Sequence, residues 1–173
     1  MQSKAIPING SKYKKILEPL VVGKTIISNR IIMGSMHTGL EEGGRNDYYR
    51  MGAYFAERAE TGVGLIITGG ISPNHEGALD NAIFQSPDDI PKHKIITQAV
   101  HSSNKETKIC LQILHSGPLA KDENLVAPSA VKSRIGRYVP NELNQESLKK
   151  QIDDFVNCAE LSKAAGYDGV EII

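Results

Sequence analysis

The sequence predicts an α/β fold wound around a parallel sheet, on three observations. Short, wholly apolar segments stand at Ile31-Ile32-Met33, Leu65-Ile66-Ile67 and Ile109-Cys110-Leu111, and apolar runs of this length suit strands buried on both faces. Each is followed by a loop and then a segment with helical apolar spacing. A fourth such strand opens at Gly169. Buried strand, loop and amphipathic helix, repeated three times, is the βα grammar of a parallel sheet with right-handed crossovers.

Taken in order, Leu17 to Arg30 carries two apolar runs around Gly23-Lys24, a glycine-first turn that suits a β-hairpin. Ile31–Met33 is the first strand, and the glycine-rich loop 41–45 leads to a helix from about Asn46 to Thr61. Tyr48, Phe55 and Ala59 share one face of that helix, and Gly62 stands where a left-handed cap belongs. The second strand ends in Thr68-Gly69-Gly70. A long loop with Pro73, Gly77 and Pro87 precedes a helix from about Pro91 to Ser103, with Ile95, Ile96, Ala99 and Val100 expected inward. The third strand runs on to His115. After a loop over 116–143, Asn144 is placed to cap a helix whose inward residues are expected to be Leu148, Ile152, Phe155 and Ala159, with Gly166 closing it.

Two architectures follow this grammar, a doubly wound sheet and a TIM (β/α)8 barrel. The first βα turn has no G-x-G-x-x-G and the chain no G-x-x-x-x-G-K-[ST], which removes the usual signals of the nucleotide folds. A hairpin ahead of the first strand would plug the bottom of a barrel. The longest loops follow strands, on the side where a barrel builds its site. The barrel is therefore favoured, and these 173 residues supply four strands and three helices of it, against the roughly 250 residues of a whole one. The expected organisation is an N-terminal extension over 1–16 and an incomplete barrel, its N-terminal half, over 17–173.

Composition narrows the function classes. Forty per cent of residues are apolar and 23% charged, so a real core is expected. Twenty acidic residues balance twenty basic ones, against a nucleic-acid surface held by bulk charge. No apolar run approaches the roughly 18–20 residues of a membrane span, and Met1-Gln2-Ser3-Lys4 begins no secretory signal. A cytoplasmic protein is expected, in which the Asn9-Gly10-Ser11 glycosylation pattern has no meaning. Cys110 and Cys158 read as small core hydrophobes, and no metal site is expected.

In a barrel the functional residues gather at the C-terminal strand ends. Those ends read Gly34-Ser35-Met36-His37-Thr38-Gly39, Thr68-Gly69-Gly70 and Gln112-Ile113-Leu114-His115-Ser116-Gly117. Glycine permits close backbone approach to a flat ligand. A glutamine offers donor and acceptor together, matching a ring edge that alternates the two. His37 and His115 titrate near neutrality, whereas His75, His93 and His101 read as loop or helix-surface residues.

At these residues the chain resembles the old yellow enzyme family of flavin-dependent ene-reductases, and within it the bacterial 2,4-dienoyl-CoA reductases. The matching stretches are LEPLVVGKTIISNRIIMGSMHTGLEE (17–42), YFAERAETGVGLIITGGISP (54–73), LQILHSG (111–117), LVAPSA (125–130), RYVPNEL (137–143) and AAGYDGVEI (164–172). The resemblance implies a barrel with FMN at its C-terminal face, Ser35, Met36 and His37 along the flavin, Gly70 beside its ring system and Gln112 on its pyrimidine edge. His37 matches a position where relatives place threonine or cysteine near a flavin carbonyl, so a donor there would stabilise charge on the reduced flavin. The implied reaction passes a hydride from NADPH, or NADH, to the flavin and on to an activated alkene, an acyl-CoA or enone.

The family's acid, a tyrosine, falls beyond Ile173, so no catalytic residue is expected within the chain. The FMN phosphate site and the iron–sulfur and FAD sites of the family are likewise expected outside it. Pro118 departs from the family's arginine after H-x-G, and Tyr167 lies in a helix-to-strand turn at the wrong end to replace the acid. A chain of this extent is expected to retain FMN weakly and to need its C-terminal half or self-association. The alternatives are a non-enzymatic half-barrel acting in assembly or binding, and an ene-reductase of the same family with another substrate.

Overall fold

The computed structural model describes residues 12–173. Most of the expected extension, with Asn9-Gly10-Ser11, lies outside the described residues. A helical turn, α1 (Lys14–Leu17), leads into an antiparallel hairpin of β1 (Leu20–Val22) and β2 (Thr25–Ile27). Gly23 supplies the turn's positive φ of 58°. There follow β3 (Ile32–Met33), α2 (Arg45–Glu60), β4 (Leu65–Ile71), α3 (Ile90–Ser103) and β5 (Lys108–Ile113). The two-residue strands β6 (Val126–Ala127) and β7 (Asn141–Glu142) pair in parallel within the long loop, and α4 (Gln145–Ala164) and β8 (Gly169–Ile172) complete the chain.

Four strands form one parallel sheet in the order β3-β4-β5-β8. Sequential neighbours with no reversal are what a barrel winding in one direction produces, whereas a doubly wound sheet reverses its order at a switch point. The hairpin lies at the N-terminal end of the sheet. There Asn29 donates from Nδ2 to the Gly62 carbonyl at 2.7 Å, and a Cβ on Gly64 would meet the Asn29 carbonyl at 2.6 Å.

One core joins sheet and helices. Phe55 of α2, Ile96 and Val100 of α3 and Ile66, Ile109 and Leu111 of the sheet are fully buried together. Each buried side chain of this size contributes roughly 1.5–3 kcal/mol of transfer free energy. Gly62 and Gly166 adopt the left-handed conformation expected of helix ends. Asn144 caps α4 by accepting from the Ser147 N–H at 2.8 Å, and Ser147 Oγ accepts from the Asn144 N–H at 2.8 Å, a reciprocal capping box.

Two expectations are corrected. The face of α4 turned to the core carries Gln151, Cys158, Leu161 and Ser162. Leu148 and Ile152, expected inward, are 48% and 56% exposed, and beside them Val156 and Ile172 of β8 stand open as well. The spacing marked an apolar stripe correctly, but α4 carries two adjoining faces and only one is covered. The other lines an apolar groove of about 420 Å³ with Phe155 and Ala159. His93, read as a surface residue, is 1% exposed. It stacks on Phe84 with centroids 3.9 Å apart, and its Nδ1 lies 3.0 Å from the Tyr167 hydroxyl. Burial pushes its pKa down to about 3, so the ring is neutral at physiological pH.

Candidate functional site

The sheet has two faces, and a register shift decides what the face away from the helices presents. Along β4 and β5, Leu65 pairs with Lys108, Ile66 with Ile109 and Ile67 with Cys110. The ladder then slips, so that Gly70 pairs with Gln112 and Ile71 with Ile113. Paired residues of a parallel ladder point to one side. Ile66, Ile109, Ile71 and Ile113 belong to the core under the helices, so Leu65, Ile67, Gly70, Cys110 and Gln112 face the other way. Before the slip the odd residues of β4 face away from the helices, and after it the even ones do. This bulge brings Gly70 beside Gln112. Thr68, in the bulge, accepts the Gln112 N–H on its Oγ1 at 3.2 Å.

Gly70 allows an approach that no side chain would. A Cβ there would lie 2.5 Å from Leu114 Cδ2 and 3.1 Å from Gln112 Oε1. Gln112 itself donates from Nε2 to Glu171 Oε2 at 2.6 Å, across the β5–β8 pair. The amide is thereby oriented with its oxygen toward Gly70. Cys110, on the same face, has its thiol pushed up to about 11 by burial and then by Asp168 and Glu171, which suppresses thiolate chemistry at neutral pH.

The loop leaving β3 carries Ser35, half-buried, and Met36 and His37, both exposed. His37 Nε2 lies 2.7 Å from Glu42 Oε1 and its Nδ1 3.7 Å from Glu41 Oε2. As placed, the ring gives its Nε2 to Glu42, so a donor role toward a ligand falls to Nδ1 or to a turned side chain. His37, Glu42, Gly70, Leu114 and Ser116 line an enclosed cleft of about 20 Å³, room for about one water. Ser116 Oγ is buried without a hydrogen-bond partner there, among the described residues. A tricyclic ring exceeds that cleft, and Gly70 and Gln112 beside it are buried, with Leu114 lying against Gly70. The polar groups near Gly70 are of the kinds a flavin edge takes: the oriented Gln112 amide and the Ser116 hydroxyl, unpartnered among the described residues.

His115 lies apart from this group. Its Nδ1 accepts the Gly117 N–H at 3.0 Å, and Gly77 packs against the ring so closely that a Cβ would stand 2.3 Å from Cδ2. Burial pushes its pKa down. The ring holds the strand-end turn in place. Tyr167 sits in the turn before β8, buried against His93, at the end of the sheet opposite Gly70. Among the described residues, no group of three His, Cys, Asp or Glu side chains could hold a metal ion, and no helix is long and apolar enough to cross a membrane.

One residue at the site escaped the sequence reading. Glu41 is 1% exposed and both its oxygens accept from the Thr38 N–H and hydroxyl at 3.0–3.1 Å. The signal was present as T-x-x-E over 38–41, the spacing of a capping box. A second polar network, equally unforeseen, ties the loop after β4 to α4. Asn74 donates from Nδ2 to Gln151 at 2.7 Å and to Asp154 at 2.6 Å, while Gly77 N–H donates to Asn74 Oδ1 at 2.9 Å.

Known proteins resemble the chain over nearly all its described length. A metal reductase of Desulforamulus reducens is 33% identical over 169 residues, covering 91% of this chain and 24% of that protein. An NADPH dehydrogenase of Bacillus velezensis is 32% identical over 165 residues, covering 92% of this chain and 48% of its own. Among solved structures, the old yellow enzyme homologue of Zymomonas mobilis superposes with a TM-score of 0.76 at 26% identity, over 91% of this chain and 48% of that one. The chain thus spans a quarter to a half of the length of these relatives, and its four-stranded sheet corresponds to part of their barrel. The family model of the NADH:flavin oxidoreductase / NADH oxidase family matches residues 15–173, and the chain belongs to that family.

Proposed function

We propose that the chain supplies one wall of an FMN site in an NAD(P)H-dependent enzyme that reduces activated C=C bonds, with 2,4-dienoyl-CoA thioesters as the substrate class. The observation that carries this reading is the Gly70–Gln112 pair set by the β4 bulge beneath the Ser35–His37 loop. When bound, the flavin would carry a hydride from a nicotinamide to the alkene. The residues here would bind and orient it: Gln112 by its amide, Gly70 by letting Leu114 and the Gln112 amide pack close to the strand, and Ser35, Met36 and His37 from the adjoining loop. The dienoyl-CoA assignment rests on the GSMHTGLEE stretch (34–42).

The same reading gives the open surfaces a partner. Among the described residues both edge strands, β3 and β8, have unpaired sides, and the groove of α4 is apolar. Four further β/α units of a family barrel would pair with both edges and cover the groove. The comparison with barrels twice as long supports this occupant.

Flavin difference spectroscopy tests the proposal. FMN titrated into the purified chain should give a weak but saturable spectral change, strengthened at least tenfold on co-expression with the C-terminal half of a family barrel. Gly70→Val and Gln112→Ala should each weaken it by a similar factor. Equal binding by wild type and both variants would overturn the site. Stoichiometric FMN on an isolated monomer, or closure by self-association alone, would overturn the partner.

A further inference from the structure

Glu41 is a fully buried carboxylate in a loop, and burying a charge is costly unless hydrogen bonds offset it. Its partners all belong to one short segment. The Thr38 N–H and hydroxyl both donate to it, and the His37 ring lies 3.7 Å away. On its other side lies β4. A Cβ on Gly69 would stand 2.3 Å from Glu41 Oε1 and 2.9 Å from the Met36 carbonyl. The carboxylate, the Met36 backbone and Gly69 therefore meet within van der Waals reach, immediately before Gly70.

We infer that Glu41 is a positioning residue that clamps the Met36–Thr38 backbone over Gly69 and so fixes the height of the Ser35–His37 loop above the Gly70–Gln112 face. The inference deepens the flavin reading and names the residue on which its loop geometry depends. A carboxylate suits the role because it accepts two bonds at once in a charge-assisted form. Thr38 fills the complementary role, with its hydroxyl also accepting the Leu40 N–H at 3.2 Å. Gly69 is required because any side chain would displace the carboxylate.

Two readouts test the clamp, one independent of any flavin. In native-state hydrogen exchange of the full chain, the Thr38 amide should be protected in wild type and should exchange at least tenfold faster in Glu41→Ala, while Ile109 and Leu111 keep their protection. Glu41→Gln retains an oxygen for the Thr38 N–H and should restore most of the protection; Glu41→Asp, one methylene shorter, should not. Unchanged Thr38 exchange in Glu41→Ala would overturn the clamp, whatever the flavin result. In the presence of the C-terminal half-barrel, Glu41→Ala should weaken FMN binding about tenfold and alter the flavin difference spectrum, with rescue by Glu41→Gln. A freed Thr38 with FMN binding and spectrum unchanged would overturn the link to the ligand. A wild type that never binds FMN would defeat the flavin reading and leave the exchange result to decide the clamp.

Discussion

The β4–β5 centre of the sheet and its β8–α4 margin are made from the same kinds of residue and end in opposite states. At the centre, Ile66, Ile109 and Leu111 are sealed beneath α2 and α3. At the margin, Leu148, Ile152, Val156 and Ile172 face solvent. The difference lies in neighbours. A helix in a repeating β/α array touches the sheet with one face and the next helix with another, and among the described residues α4 has a helix neighbour, α3, on one side only. Apolar periodicity records how much surface a helix is built to bury, and is silent on which element buries it.

The largest expected break in the comparison comes from truncating one side chain in each region. Phe55→Ala at the centre should cost about 3–5 kcal/mol of unfolding free energy, whereas Ile152→Ser at the margin should cost under about 0.5 kcal/mol and reduce self-association. Urea denaturation with sedimentation checks both. Similar losses at the two sites would mean that the margin is covered in solution.

Next in size is a pH effect confined to the centre. His93 has a folded pKa of about 3 against an ordinary 6.5. The unfolded chain therefore binds a proton between those values that the folded chain refuses, and stability falls as pH drops below 6.5. At about 1.4 kcal/mol per pH unit, lowering pH from 7 to 5 should remove about 2 kcal/mol through this group. The His93→Phe variant should lose that part of the slope while paying a fixed cost for the Tyr167 hydroxyl. An identical slope in the variant would refute the assignment.

The smallest effect sharpens the margin. Asn144→Ala removes the cap of α4 and should cost about 1 kcal/mol. Because α4 is packed on one side only, its amides should lose protection before those of α2 in hydrogen exchange. Uniform loss across both helices would show that the margin unfolds with the centre.

The order of elements was legible because it rests on local signals: Gly23, Gly62 and Gly166 at positive φ, the Asn144 cap, and apolar strands three to seven residues long. The candidate site was legible in part, since Gly70 and Gln112 stood out by residue type. That they share a face was not, because alternation alone places Gly70 with the helix side; only the cross-strand slip reverses it. His93 misled because one polar residue among charged neighbours reads as solvated, and of its partners Phe84 lies across a loop and Tyr167 is remote in sequence. Glu41 was hidden for a related reason, since an acid beside a second acid in a glycine-rich loop reads as surface.

The slip in β4 also acts as a reading frame for the strand. Were the ladder to run straight from Ile67 with no residue lost, Gly69 would stand opposite Gln112 and Gly70 opposite Ile113. That register would turn Gly70 under the helices and swing Gly69 and Ile71 to the other face. Such a chain would keep its strand order and lose the Gly70–Gln112 pair of the candidate site in a single step. Deleting one residue at Thr68 or Gly69 would instead remove the bulge and leave Gly70 opposite Gln112, so the strand's orientation depends on its length and its bulge together.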